Sequence, residues 1–177
     1  VLFAEAYTNL NLHKHLAVVA GIDLRNQKAD IETSFGKLGT DSLNATQYSG
    51  YATLLIKNLH NLNVELGGRY THHSESGSQF SYSFNPSYLI HQQLKLFVNI
   101  SSGFRAPSLY NLASEYGNRD LKPEKSMSYE AGLQYINRAN TLNMRGAWFK
   151  RKIEDIIIFE SLALPPYGRY ANADEQD

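Results

Sequence analysis

Apolar and polar side chains alternate in steps of two along most of this chain. Between residues 15 and 25, every even position from Leu16 to Leu24 is apolar, whereas the odd positions include His15 and Asp23. Because successive side chains of a β-strand point to opposite faces, this period predicts half-polar strands rather than helices. The same criterion predicts strands over residues 2–10, 15–25, 46–57, 62–71, 78–90, 93–103, 126–136, 141–151 and 153–159.

The segments between these strands alternate between short and long. Short turns are predicted at 11–14, 58–61, 91–92 and 137–140, and longer loops at 27–45, 72–77, 104–125 and 161–169. An up-and-down antiparallel meander gives this alternation when tight turns lie at one end of the sheet, as they do in outer-membrane barrels. Strands of about 10–12 residues also suit a tilted bilayer crossing and exceed the usual soluble strand of about 5–6.

Alternation alone leaves open which face is buried, since a lipocalin-like barrel or a β-sandwich would give a similar alternation of apolar and polar residues. Two features favour lipid contact. Tyrosine and tryptophan lie near predicted strand ends, at Tyr7, Tyr48, Tyr70, Tyr88, Tyr135 and Trp148, as an interfacial girdle requires. The opposite face carries full charges such as Arg69 and Glu130, which suit a wet or filled interior. The predicted fold is therefore an all-β, antiparallel transmembrane β-barrel segment, with Leu94, Leu96, Val98 and Ile100 facing lipid.

Composition narrows the function classes. The 177 residues include 17 basic and 17 acidic side chains, so no charge imbalance favours a nucleic-acid partner. The chain has no cysteine, which excludes a disulfide framework or a thiolate metal site. No apolar run reaches the roughly 20 residues of a membrane-spanning helix, and no signal peptide is evident. Since the chain opens directly in a strand-like pattern, it is expected to be part of a longer protein.

The most specific motifs flank the long central loop. Phe104-Arg105-Ala106-Pro107 closes one strand, and Gly117-Asn118-Arg119-Asp120-Leu121-Lys122-Pro123-Glu124-Lys125-Ser126 opens the next. These motifs resemble the FRAP and NPNLKPE boxes of TonB-dependent outer-membrane receptors, with Arg119 at a position where that family usually has proline. The segments 147–157 and 170–173 resemble two further family motifs. The residues that carry the central match are Phe104, Arg105, Ala106, Pro107, Asn118, Leu121, Lys122, Pro123 and Glu124.

The resemblance implies a barrel of about 22 strands that encloses an N-terminal plug. Such a receptor lies in the outer membrane of a Gram-negative bacterium, in contact with its lipid, and imports a scarce nutrient chelate with energy from TonB, which binds an N-terminal region. On this basis, residues 1–177 are interpreted as a partial β-barrel domain that lacks the plug and the C-terminal strands. The order of the motifs favours the vitamin B12 branch, so a cobalamin-type corrinoid is the first expected ligand and a ferric siderophore the second.

Candidate binding residues lie in the same loop. Tyr110 and Tyr116 offer aromatic rings that could stack on a ligand or pack the loop on itself, and Arg105 offers a cation. No HExxH motif or acidic calcium loop accompanies the histidines, so neither a metal site nor a cofactor is expected. No GxSxG nucleophile motif is present, so the chain is not expected to be an enzyme. The alternatives are a soluble ligand-binding β-barrel or an outer-membrane β-barrel enzyme.

Overall fold

The computed structural model describes residues 1–29, 32–33, 36–37, 43–164 and 167–176. The long strands among them form one antiparallel sheet of nine strands, and two short strands pair separately. The elements are β1 (Leu2–His13), β2 (Leu16–Ala29), β3 (Glu32–Thr33), β4 (Gly36–Lys37), β5 (Leu43–Leu59), β6 (Leu62–His73), β7 (Gly77–Ile90), β8 (Leu94–Arg105), α1 (Leu109–Ala113), β9 (Glu124–Ile136), β10 (Asn143–Ser161) and β11 (Gly168–Gln176).

The sheet has the order β1-β2-β5-β6-β7-β8-β9-β10-β11, so each long strand pairs with its neighbours in sequence. This is the predicted all-β, up-and-down antiparallel architecture, which is confirmed. The tight turns between β5 and β6 and between β7 and β8 contain residues with positive φ, such as His60, Asn61, His91 and Gln92. Much of the predicted 27–45 loop, and Pro165 and Pro166 of the 161–169 loop, lie outside the described residues.

Two boundary predictions at the C-terminal end are wrong. The segments 141–151 and 153–159 form one strand, β10, of 19 residues. Its irregularity is confined to Asp155, whose φ is 54°. The pairing register with β11 is the same before and after Asp155, whereas pairing with β9 ends at Glu154. Residues 168–176, for which the alternation predicted no strand, pair with β10 as the strand β11.

The register assigns every strand residue to one of two faces. The charged face carries Asp23, Arg69, Lys95, Glu130 and Arg145, which occupy alternate positions of their strands. The apolar face carries large hydrophobic side chains that remain exposed, and these include Ile22, Tyr70, Phe80, Leu96, Val98, Leu133 and Trp148. Tyr7, predicted in the aromatic girdle, instead lies in the middle of β1 on the charged face, where its Cβ approaches Gly21.

No second layer covers the apolar face in the described part of the chain. Leu96 is 42% exposed and Val98 38%, and the buried hydrophobic residues of the described chain are only Ala17, Ala45, Phe97, Leu112 and Leu121. A soluble domain of this size would bury most of its large apolar side chains. Within the described chain, the apolar face therefore forms no dry core. No described helix has the length and hydropathy of a membrane span.

The charged face is concave. Strands β2 and β8 are four positions apart in the sheet, which in a flat sheet would separate them by roughly 19 Å. Nevertheless, Arg25 and Gln27 of β2 line the same recess as Gly103 to Ser108 at the end of β8. The helix α1, which follows β8, also lies against β5. Both contacts require a sheet that curls around its charged side, as the wall of a barrel does.

Candidate functional site

The loop between β8 and β9 carries the short helix α1 over the concave face. Ser108 caps this helix: its hydroxyl accepts a hydrogen bond from the Asn111 backbone N–H at 3.1 Å, and the Asn111 side chain accepts one from the Ser108 N–H at 3.0 Å. Together these two bonds form a capping box. Leu112 and Leu121 are buried beneath the loop, at 8% and 6% exposure. The loop is thus folded on its own small core.

An ion pair closes the neck of this loop, defined here as the last residue of β8, Arg105, and the first residue of β9, Glu124. The two residues are direct cross-strand partners, and the Arg105 Nη2 donates to Glu124 Oε1 at 2.5 Å. The same carboxylate oxygen accepts a hydrogen bond from the Ile157 backbone N–H at 2.8 Å. Glu124 therefore connects β8, β9 and β10 at one point.

The far side of the loop is hydrogen-bonded to β11. The Asn172 side chain accepts from the Lys122 N–H at 2.9 Å and donates to the Lys122 carbonyl at 3.1 Å. It also donates to the Asp155 carbonyl at 2.6 Å, beside the positive φ of β10. The Asn118 side chain donates to the Tyr170 carbonyl at 3.0 Å. The motifs at 117–126 and 170–173, which are far apart in sequence, thus contact each other.

An aromatic cluster strengthens this junction. The Tyr116 ring packs edge-on against Phe159 with a centroid distance of 5.4 Å, and Phe159 packs against Tyr170 at 5.5 Å. Tyr110 lies edge-on to Tyr170 at 6.2 Å and remains 47% exposed. Both tyrosines of the sequence prediction therefore contribute to packing of the loop. Tyr110 keeps a free surface, and its predicted role in ligand stacking stays a prediction.

A recess of about 500 Å³ opens on the charged face below the loop. We call it the arginine recess, because Arg25, Arg69 and Arg105 contribute to its wall. Its other lining residues are mostly polar or small and come from five strands and the start of the loop. They are Gln27, Gln47, Thr71, His73, Ser81, Gly103, Phe104, Ala106, Pro107 and Ser108.

The three arginines differ in their counter-charges. Arg69 forms an ion pair with Asp23, whose side chain is only 3% exposed, and its guanidinium stacks over the Tyr51 ring at 5.4 Å. Arg105 is paired with Glu124. Arg25 contacts the Phe3 ring at 5.5 Å and has no carboxylate partner among the described residues. Arg25 thus provides the least neutralised positive charge in the recess.

A second recess, of about 390 Å³, lies on the charged face near the tight-turn end. Asn99 and Arg145 line it, and both donate hydrogen bonds to the Glu130 carboxylate, at 2.7 Å and 2.8 Å respectively. The Arg145 guanidinium also stacks over the Phe97 ring at 4.6 Å. This network links three neighbouring strands and gives the interior wall a fixed pattern of charge.

The structure brings most of the sequence-predicted residues together around one loop. Phe104, Arg105, Ala106 and Pro107 line the arginine recess, and Leu121 and Pro123 are buried. Sequence reasoning missed Arg25, Gln27, Gln47 and His73, because they lie on strands that only the curvature of the sheet brings close to Arg105. In the described part of the chain, no group of three or more histidine or acidic side chains could hold a metal ion.

Comparison with known proteins places this arrangement in a family. Residues 3–177 match the family described as TonB dependent receptor-like, beta-barrel. The chain is 28% identical over 130 residues to a probable TonB-dependent siderophore receptor, PirA, from Acinetobacter baumannii. The aligned region covers 62% of this chain and 17% of that protein.

Solved structures have the same fold at low sequence identity. The siderophore receptor PirA from Pseudomonas aeruginosa superposes with a TM-score of 0.85 at 20% identity, covering 98% of this chain and 34% of that one. The ferric enterobactin receptor PfeA from the same organism gives 0.82 at 22% identity, covering 98% and 31%. The FrpB iron transporter from Neisseria meningitidis gives 0.74 at 17% identity, also covering 98% and 31%.

This chain therefore spans about a third or less of the length of these relatives. By name they are receptors and transporters rather than enzymes, which agrees with the expectation from the sequence. The family match extends over almost the whole chain, and the nine-stranded meander, its curvature and the paired loop motifs are consistent with it. The chain belongs to the TonB-dependent receptor β-barrel family.

Proposed function

We propose that this chain is a wall segment of an outer-membrane receptor that binds a ferric siderophore and imports it with energy from TonB. The apolar face contacts lipid, the charged face lines the barrel interior, and the β8–β9 loop lies at the extracellular end. The observation that carries the ligand assignment is the arginine recess, in which Arg25 has no carboxylate partner among the described residues. Ferric complexes of catecholate and hydroxycarboxylate chelators are anions, which such a site attracts.

The sequence motifs favoured a corrinoid as the first ligand, and we reverse that order. The relatives reported above are named for siderophores or iron, and none of these names includes a corrinoid. A cationic recess also favours an anionic chelate over a corrinoid, which carries no comparable negative charge. The corrinoid remains as a comparison ligand in the test.

The larger receptor that this proposal requires has support of two kinds. The relatives are longer than this chain, and the edge strands β1 and β11 each have a single neighbour in the described sheet. In a closed barrel, further strands satisfy such edges, because unpaired backbone groups are costly in lipid. We propose that an N-terminal plug and a TonB-binding region belong to the same receptor.

The test is uptake of radiolabelled iron by a Gram-negative strain that lacks its own siderophore receptors and expresses the full-length receptor. We expect accumulation of iron from a ferric catecholate, loss of accumulation when TonB is inactivated, and no accumulation of labelled cobalamin. Uptake that persists without TonB, or cobalamin uptake without iron uptake, would contradict the proposal.

A matched pair of variants tests the recess. Arg25→Gln removes the positive charge that has no carboxylate partner in the described chain, and we expect the Kd for the ferric chelate to rise about ten-fold, as for loss of one charge-assisted hydrogen bond. Arg151→Gln is the control, because Arg151 lies on the charged face opposite Ser128 but outside the recess. Equal effects of the two variants would show that only the net charge of the interior matters.

A further inference from the structure

The ion pair at the neck of the β8–β9 loop is asymmetric in how its two members are held. The Glu124 side chain is 13% exposed and accepts from both Arg105 and the Ile157 N–H. Arg105 is 68% exposed, and Glu124 is its only hydrogen-bond or ion-pair partner in the described structure. Glu124 therefore keeps the Ile157 N–H as a partner when the guanidinium leaves, whereas the Arg105 guanidinium lies mostly in solvent and can pair with an anion there.

The second bond of Glu124 has a clear local cause. Pairing between β9 and β10 ends at Lys125 and Glu154, immediately before the positive φ of Asp155. Beyond that point, the N–H of Ile157 has no β9 carbonyl opposite it, and the Glu124 carboxylate accepts its hydrogen bond instead. The part-buried N–H of Ile157 keeps this acceptor in place, because a backbone donor left unpaired there is costly.

Arg105 also faces the arginine recess, beside the segment from Ala106 to Ser108. Because the Arg105 guanidinium is mostly exposed, an anion in the recess can reach it and compete with Glu124 for it. We infer that Arg105 and Glu124 form a ligand-responsive latch: an anionic ligand in the arginine recess replaces Glu124 as the partner of Arg105 and so opens the neck of the loop.

The remaining contacts determine which part of the loop then moves. The C-terminal side of the loop stays attached to β11 through Asn118 and Asn172. Among the described residues, the N-terminal side, from Pro107 through α1, makes no hydrogen bond to β11. It is held there more weakly, by the ring contact between Tyr110 and Tyr170 and by one hydrogen bond from the Asn118 N–H to the Asn111 carbonyl. Opening the neck therefore loosens α1 over the recess while the rest of the loop stays in place. The ligand itself supplies the free energy, because it binds the open state better than the closed one.

Affinity measurements on the full-length receptor test the competition. This inference rests on the proposed function for its natural ligand, a ferric catecholate. Glu124→Gln keeps an acceptor for the Ile157 N–H but removes the competing charge, so we expect the Kd to fall about two- to five-fold. Arg105→Gln raises the Kd, and the double variant matches Arg105→Gln because no guanidinium is left to release. A Kd for Glu124→Gln that is unchanged or higher than wild type overturns the latch.

Hydrogen exchange on the wild-type receptor provides a test that needs no siderophore, and two variants serve as its controls. We expect millimolar pyrophosphate to raise amide exchange in peptides that cover 107–113 and to leave peptides that cover 118–123 unchanged. The control variant Arg151→Gln responds as wild type, and Arg105→Gln exchanges rapidly in 107–113 with or without the anion. If pyrophosphate leaves 107–113 protected, the latch is wrong.

The affinity measurements and the hydrogen-exchange measurements together distinguish failure of the latch from failure of the proposed function on which it rests. A receptor that binds no ferric catecholate but opens its loop with pyrophosphate keeps the latch and loses the proposed ligand. A receptor that binds the ferric catecholate while 107–113 stays protected keeps the proposed function and loses the latch.

Discussion

The ion pair between Asp23 and Arg69 gives the sharpest test of how the charged face is stabilised. The two side chains belong to β2 and β6, with β5 between them. Asp23 is almost fully buried, at 3% side-chain exposure, whereas Arg69 is 37% exposed and also rests on the Tyr51 ring. Removing one partner therefore has a different consequence from removing the other. We compare Arg69→Met with Asp23→Asn.

The expected magnitudes follow from what each change leaves behind. Arg69→Met leaves a buried carboxylate without its counter-charge, which costs about 3 kcal/mol in the free energy of unfolding. Asp23→Asn leaves a guanidinium that water can reach and an amide oxygen that can still accept a hydrogen bond, so we expect a loss of about 1 kcal/mol. In the double variant the losses are less than additive, because the buried charge is gone, with a coupling of about 1–2 kcal/mol.

The assay is urea unfolding of the full-length barrel in detergent micelles, followed by the gel mobility of the folded form. Arg145→Met is the matched control: its pair with Glu130 is more exposed, at 56% and 30%, so we expect a loss below about 1 kcal/mol. The reasoning predicts that the buried Asp23 carboxylate needs the Arg69 charge more than Arg69 needs Asp23. It would be refuted if Asp23→Asn were as destabilising as Arg69→Met, or if the losses of the two single variants added in the double variant.

Two further predictions concern close backbone contacts and the loop. A Cβ at Gly132 would lie 2.5 Å from the carbonyl oxygen of Gly146, whereas a Cβ at Gly146 itself has no neighbour within 4 Å. Gly132→Ala should therefore lower the free energy of unfolding by about 1–3 kcal/mol in the same assay. Gly146→Ala should be neutral or slightly stabilising. Asn172→Ala removes three hydrogen bonds to Lys122 and Asp155. We therefore expect limited proteolysis to cleave the 117–123 segment at least about ten-fold faster. An unchanged cleavage rate would show that the aromatic cluster alone holds the loop.

The strands could be predicted from sequence because one face of every strand is apolar and the other polar. That pattern depends only on local spacing, so it located β2, β5, β6, β8 and β9 within a few residues of their observed bounds. It failed at β10, where Lys150 to Lys152 interrupt the apolar positions and Ile153 to Phe159 are mostly apolar on both faces. β9 pairs with residues 143–154 and β11 pairs with residues 153–161, so the two partner strands overlap at Ile153 and Glu154 and keep β10 continuous in spite of this sequence.

The site could be predicted only in part. The motifs around Arg105 and Glu124 identified the loop, because a proline and a charged residue lie at each of its two ends. The capping box of Ser108 and Asn111 has asparagine where the usual sequence signature has glutamate or glutamine, so the short helix α1 was not predicted. By contrast, the proximity of Arg25 to Arg105 depends on the curvature of the sheet over four strand spacings. The two hydrogen bonds between Asn172 and Lys122 depend on how the β10–β11 hairpin meets the loop. Neither relation is encoded in local sequence.

The central claim is that the apolar face meets lipid and the charged face lines the interior. This chain has no cysteine. Once any cysteine elsewhere in the full-length receptor has been replaced, single nitroxide labels can be introduced along β8 of the receptor in vesicles, at each position from Leu94 to Ser101. We predict that collision with oxygen is high at the even positions, including Leu96 and Val98, and that collision with a water-soluble nickel complex is higher at the odd positions, including Lys95 and Asn99. Oxygen accessibility that peaks at Lys95 and Asn99, or that shows no period of two, would contradict the account.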